Sequence, residues 1–439
     1  MNLSSITSSN RLVYILVGSI GLLVFLTVIL VIRSFGGSST QDAVVQFWGV
    51  FDDRQSLDAV IQQFQQKYPN VRVVYRNFSY EDYERNVVDA LAAGTGPDVW
   101  MIHHTWLPKH KDKLLPMPGE IQGEPLMTIR GFQEQFVDVA YDDLVSAGRI
   151  YSMPIYIDTL AMYYDKDLFN SAGITSPAAS WDEFNSQVER LTTFDGNRNI
   201  IQSGAAIGSA RNINRSTDIL MSLMLQSGVH MTDEDNSSAT FSRSVDNQRV
   251  GEVALQYYTD FTNPAKLVYC WNESQHYSID AFSEGTAAMM FNYSHQIEAL
   301  RQKSRRLNFG IAPMPQLSAN TKTYASYWAP AVAASTRYPE AAWQFVAYAA
   351  SQEGATAYLN QTNRPAARRD IINLQRNDPD IGVFAVQALS AVSWHQVDNV
   401  RIEQIFADMI DDVNLGRATI RDALESAETK VNVLMSSQR

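Results

Sequence analysis

Residues 44–102 read VVQFWGVFDDRQSLDAVIQQFQQKYPNVRVVYRNFSYEDYERNVVDALAAGTGPDVWMI. Val44-Val45-Gln46-Phe47-Trp48 has the apolar run of a buried strand, and Trp48 continues it as a core residue. Leu57, Val60, Ile61, Phe64 and Tyr68 then recur at helical spacing, and Val71 to Tyr75 forms the next strand. Ser79 has the character of an N-cap, with Asp82 three residues on, for a helix that runs to Gly94. Gly94-Thr95-Gly96-Pro97 supplies a helix stop and tight turn before a third strand, Asp98 to Ile102. Strand, helix, strand, helix, strand in this order implies a parallel, doubly wound sheet. Ligands of such sheets bind outside the carboxyl ends of the strands, which places Phe51-Asp52-Asp53 and His103-His104-Thr105-Trp106 beside a candidate site.

Farther along, the pattern becomes more helical. Pro339 opens a helix through about Tyr358, and two more are expected from Val400 to Asn414 and from Thr419 to Leu434. On the other side, Leu12 to Ile32 carries no charge and is long enough, at about 20 residues, to cross a bilayer as one helix. Arg11 and Arg33 bracket it, and no A-x-A-like cleavage site follows. It reads as an uncleaved signal anchor behind a short cytoplasmic N-terminus (1–11). A Gly/Ser linker at 33–41 leads into the large domain; Arg11 and Arg33 leave its side of the membrane open, and the functional resemblance given below places it outside.

The 439 residues exceed what one ordinary core holds and are enough for two lobes. With 35 Lys+Arg against 47 Asp+Glu the net charge is −12, and no concentrated basic face is visible, which argues against a nucleic-acid partner. The single cysteine, Cys270, excludes an intrachain disulfide and a cysteine metal cluster, and reads as a small core hydrophobe. No nucleophile-elbow, Walker or zinc-protease signature is present, no cofactor is implied, and the chain is not expected to be an enzyme. His103-His104 with His110 invites a metal reading. Adjacent histidines on an extended segment point to opposite faces, however, and no carboxylate spacing supports them.

Several segments together resemble one family. FWGVFDD, IQQFQQKYPNVRVVY and LAAGTGPDVWMI look like the opening of the extracellular solute-binding proteins of ABC importers, a family that includes maltose-binding protein. YSMPIYIDTLAMYYDKDLFNSAGI with SPAASWDEF is similar to its crossing into a second lobe, and AFSEGTAAMMFNYSHQI to its small-residue segment. FGIAPMPQ and EAAWQFVAYAASQEGATAYLNQTNRPAARRD resemble the return to the first lobe and the turn near the second hinge. The similarity runs from about residue 44 to the C-terminus. It implies an α/β, two-lobe periplasmic-binding-protein-like fold of type II, here with an N-terminal transmembrane helix. The first lobe would comprise 42–154 and 322–364, the second 155–321 and 365–439. Crossings would fall near Pro154 to Asp158, Gln316 to Tyr324 and Asn363 to Arg369.

The resemblance implies a membrane-anchored receptor that captures a carbohydrate and delivers it to ABC permease subunits. The alternative is a ligand-sensing domain that signals through a membrane partner. Sugars present apolar C–H faces to aromatic rings and hydroxyls to carboxylates, amides and arginine. The first-lobe candidates are Phe51, Asp52, Tyr80, His104 and Trp106; the others are Tyr156, Asp158, Tyr293, Trp328 and Arg364. Two of these, Asp52 and Arg364, have specific structural alternatives. Asp52 or Asp53 can cap the helix that starts near Ser56, and Arg364 can pair with Asp370. Where the family often places a stacking tryptophan after the small-residue segment, this chain has Asn292-Tyr293-Ser294-His295, so Tyr293 or His295 would have to stack. Gly285, Ala287 and Ala288 are expected to permit close packing of a helix on a strand, and Trp343, Phe345 and Tyr348 to be core.

Overall fold

The computed structural model describes residues 43–121, 123–318 and 321–437. The signal-anchor segment 12–32 and the linker lie outside the described residues. Among those described, no helix is long and apolar enough to cross a membrane.

The chain opens with β1 (Ala43–Val50), α1 (Arg54–Lys67), β2 (Val71–Phe78), α2 (Tyr80–Ala92) and β3 (Val99–His103). β1 lies between β2 and β3 and is parallel to both, as the apolar periodicity requires. Leu57, Val60, Ile61 and Phe64 of α1 are buried on one stripe. Asp53, not Asp52, caps α1, accepting from the Ser56 N–H at 2.9 Å. Ser79 stands at the N-cap of α2 but makes no side-chain cap; its hydroxyl lies 3.5 Å from the Asp82 carboxylate instead.

The chain then crosses through β4 (Asp158–Thr159) into β5 (Ala161–Asp165). After α3 (Ser216–Gln226), strands β6 (Met289–Asn292) and β7 (Phe309–Ala312) flank β5 antiparallel. β8 (Thr323–Ser326) runs back beside β4, and β9 (Trp328–Val332) joins the first sheet antiparallel to β3. The first sheet is therefore ordered β9-β3-β1-β2, parallel except for its late fourth strand. Helices α4 (Pro339–Ala349) and α5 (Gln352–Thr362) replace the single helix expected through Tyr358. The break comes at Ser351, whose hydroxyl accepts from the Gly354 N–H at 3.1 Å and so starts a new helix. A short β10 (Ala391–Val392) pairs with β8 before α6 (Asn399–Asn414) and α7 (Ile420–Ser437).

Two separate apolar cores result, one per lobe. Trp343, Phe345 and Tyr348 lie in the first and Cys270 in the second, where burial pushes its thiol up to about 12. Consecutive buried residues change core between Ile157 and Leu160, Tyr324 and Ala325, Ile372 and Ile381, Phe384 and Ala385, and Ala391 and Trp394. β4, β8 and β10 thus form a small sheet where the lobes meet. Gly285 does not serve close packing: a Cβ there would meet nothing within 4 Å. Its φ of +77° makes it the left-handed C-cap of helix Ser278–Glu284.

Candidate functional site

Three first-lobe segments reach the site from the carboxyl ends of parallel strands. Phe51 follows β1, Tyr80 follows β2, and His103 ends β3 with His104 just beyond it. Trp328 opens β9 directly opposite His103, which brings it to the same edge. The Phe51 and Tyr80 rings stack at 5.4 Å, and Trp328 meets them edge-on at 5.8 and 6.2 Å. Phe51 is 57% exposed and has φ +66°, a conformation uncommon outside glycine that turns its ring away from the core. The turn is fixed from behind, because Tyr75 donates its hydroxyl to the Asp52 carbonyl at 2.7 Å. A Cβ on Gly49 would lie 2.5 Å from that same hydroxyl, so the close approach needs glycine.

The second lobe answers with polar groups. Arg215 sits at the N-terminus of α3 with φ +63°, its guanidinium 3.9 Å from the Asp218 carboxylate and 5.4 Å from the Tyr293 ring centre. The Tyr293 hydroxyl donates to Asp218 at 2.9 Å, and burial raises the Asp218 carboxyl against the pull of Arg215 and Tyr293.

Two contiguous cavities lie between these walls. One, of about 250 Å³, is lined by Phe51, Tyr156, Asp158, Arg215, Tyr293, His295, Ser326, Trp328 and Arg364. The other, of about 290 Å³, shares Phe51, Arg215, Ser326 and Trp328 and adds Tyr80, His103, His104, Asp218, Asn399 and Glu403. Aromatic faces on one side and hydrogen-bonding groups on the other make a site for an amphipathic polyol.

Of the predicted residues, Phe51, Tyr80, His104, Tyr156, Asp158, Tyr293, Trp328 and Arg364 all line this cleft. Asp158 is buried where the lobes meet, accepting from the Ser294 N–H and hydroxyl and from the Thr159 N–H. Burial pushes its carboxyl up to about 6 against those donors. Asp52 lines an adjoining cavity that shares Phe51, His295 and Arg364 with the cleft; its buried carboxylate accepts from the Tyr358 hydroxyl at 2.8 Å and pairs with Arg364. Arg364 therefore does not pair with Asp370, which Arg368 takes at 3.0 Å, four residues along and on the buried side. Trp106 lines neither cavity. It supports Trp328 edge-on at 4.8 Å and donates its indole N–H to Asn399 at 2.9 Å. His103 and His104 do not point apart. Their rings lie 4.2 Å from each other because the strand ends at His103 and His104 enters a tight helical turn. His110 is engaged elsewhere, 2.8 Å from Glu84.

Arg215, Asp218 and Glu403 were not anticipated. Arg215 lies in an aperiodic loop, and nothing local predicts a left-handed arginine there. Asp218 and Glu403 sit on helices α3 and α6, and only tertiary docking turns them to the cleft.

The profile of the family described as bacterial extracellular solute-binding protein matches residues 48–356. The maltodextrin-binding protein of Bacillus subtilis is 24% identical over 340 residues, covering 74% of each chain. Among solved structures, the cyclic α-maltosyl-1,6-maltose binding protein from Arthrobacter globiformis superposes with a TM-score of 0.74 at 19% identity, covering 90% of this chain and 99% of that one. The sugar-binding protein MalE of Xanthomonas citri gives 0.74 at 18% identity, with 90% and 98% covered. Two lobes with separate cores, a cleft at the carboxyl ends of the first sheet and a match across most of the described chain converge: this protein belongs to the bacterial extracellular solute-binding protein family.

Proposed function

We propose that this protein is the carbohydrate receptor of an ABC importer, held at the membrane by residues 12–32 and delivering its solute to permease subunits. The observation that carries the reading is one cleft in which Phe51, Tyr80 and Trp328 oppose Arg215, Asp218 and Tyr293. Stacking rings take the C–H faces of a sugar, and the charged and hydroxyl groups take its rim. Relatives and structural neighbours named for maltodextrin and related saccharides support the same class. The charge-free stretch Leu12 to Ile32 supports the tether. The chain acts by binding and release, with no catalytic step.

Thermal unfolding of the full-length protein against a panel of neutral oligosaccharides, monosaccharides, peptides and polyamines tests the reading. A ligand at a hundred times its Kd stabilises by about 2.7 kcal/mol, which is readily detected. A shift with a saccharide that is lost in Trp328→Ala supports sugar capture. A shift only with peptides or polyamines replaces the ligand class while keeping the binding role.

A further inference from the structure

Two residues that line the cleft from opposite lobes each carry a buried hydrogen-bond donor without an acceptor. His104 Nε2 and Arg215 Nε have no hydrogen-bond partner among the described residues, and both residues line the 290 Å³ cavity. The other buried atoms in that condition, on Trp100, His110, Ser222 and Trp343, belong to residues that line neither cleft cavity.

The His104 donor is fixed in place. Its ring stacks on Tyr327 at 4.9 Å, and its backbone N–H donates to the Tyr327 carbonyl at 3.0 Å. Nδ1 accepts from the Tyr327 N–H at 3.4 Å, which leaves the proton on Nε2. Burial holds the imidazole down at about 3, so it is a neutral donor at any working pH. His104 is only 2% exposed, and water does not satisfy an N–H in such a position at no cost. Arg215 adds a second sign of a retained function. Its left-handed backbone is strained for a side chain of this kind, and such strain persists where a site needs the geometry.

We propose that oxygens of one uncharged sugar residue supply the missing acceptors, bonding His104 Nε2 in the first lobe and Arg215 Nε in the second. The inference rests on the carbohydrate reading above and narrows it. An anionic sugar is disfavoured because Asp218 already lies 3.9 Å from the guanidinium and Glu403 lines the same cavity. A protonated amine is disfavoured because both open groups are donors. A hydroxyl or ring oxygen meets neither obstacle. Such a residue also ties the lobes together through bonds that neither lobe makes alone.

The test is calorimetric titration of the full-length protein with maltotriose, a mannose trimer, a galacturonate trimer and a glucosamine trimer. A neutral trimer is expected to bind at least about tenfold more tightly than either charged one. His104→Asn keeps an acceptor near Nδ1 but loses the distal donor. It should weaken that binding by at least about tenfold, while the unliganded variant melts no earlier than wild type. His104→Gln, which restores a distal N–H, should recover most of the loss. Equal affinity of His104→Asn for the neutral trimer overturns the proposal and leaves the carbohydrate reading standing, as does tighter binding of the galacturonate or glucosamine trimer. Binding of none of the four overturns the proposal, and the carbohydrate reading falls with it if the other saccharides of the unfolding panel also give no shift.

Discussion

The Arg364 guanidinium lies 2.8 Å from the Asp52 carboxylate, joining the end of β1 to the segment after α5 inside the protein. The Tyr156 ring covers the guanidinium at 4.3 Å, and Tyr358 donates to the other carboxylate oxygen. Burial pushes the Asp52 carboxyl upward while Arg364 and Tyr358 oppose it. Burial works against the Arg364 charge too, but Tyr156, Tyr358 and Asp52 more than offset it. A pair this enclosed is costly to split. Arg364→Met should destabilise by about 3–5 kcal/mol, because Asp52 is left buried with the Tyr358 hydroxyl but without its cation. The double variant Asp52→Asn/Arg364→Met should recover most of that. Urea unfolding of the three proteins checks it; equal losses in the single and double variants would show that the pair does not act as a unit.

Phe51 offers the opposite case, a residue proposed to contribute more to binding than to folding. It is mostly exposed, and its φ of +66° costs energy that glycine would not incur. Phe51→Gly gains backbone comfort and loses ring contacts with Tyr80 and Trp328, each worth about 0.5–1.5 kcal/mol. Stability should move by less than about 1 kcal/mol, while affinity for the solute falls about tenfold or more. Unchanged affinity would remove Phe51 from the stacking face.

These two residues also show what the sequence carries and where it stops. Phe51 and Tyr80 were legible because strand periodicity fixes where β1 and β2 end, and ligands gather at those ends. Asp158 and Arg364 were legible through segments that resemble a family. The partner of Arg364 was not, because Asp52 and Arg364 meet only when α5 packs on the first lobe, whereas Asp370 is merely near in sequence. The side-by-side histidines depend on one backbone turn at His104 that alternation along a strand does not foresee. Arg215 fails for a further reason: its backbone contradicts the local preference of arginine, and only the assembled cleft explains its retention.

Trp106 and Lys109 tie the first lobe to the start of α6. The Trp106 indole donates to Asn399, and Lys109 lies 2.7 Å from Glu84 and 3.3 Å from Asp398. Trp106 is part of the first core, whereas Ile402, Phe406 and Ile410 of α6 belong to the second. The indole bond therefore spans the lobes and favours their present separation. Trp106→Phe keeps a ring against Trp328 but loses the donor. It should cost about 1 kcal/mol of interlobe contact, roughly fivefold in affinity, and enlarge the unliganded radius of gyration in X-ray scattering. No change in either measurement would mean that the lobes open without breaking this bond.

Asp143 gives the stability a pH dependence. Burial pushes its carboxyl up to about 7, the Ser393 and Tyr327 hydroxyls pull it down, and Asp142 adds repulsion. The Tyr327 hydroxyl donates to one oxygen at 2.7 Å and Ser393 donates to the other. Asp143 lines a further cavity of about 340 Å³ together with His104, His230 and His395, and Lys111 lines an adjoining one. Between the ordinary carboxylate value of 3.8 and about 7, the folded protein holds a proton that the unfolded chain has released. Stability therefore falls as pH rises through that window, by up to about 1.4 kcal/mol per pH unit from this group. Asp143→Asn cannot titrate, yet its amide can accept from Tyr327 and donate to Ser393. Relative to wild type, the variant should show no gain near pH 4, an increasing gain toward pH 7, and a constant gain above. Chemical unfolding at intervals from pH 4 to 8 measures that difference directly, and a difference that stays level across the range would assign the titration to another group.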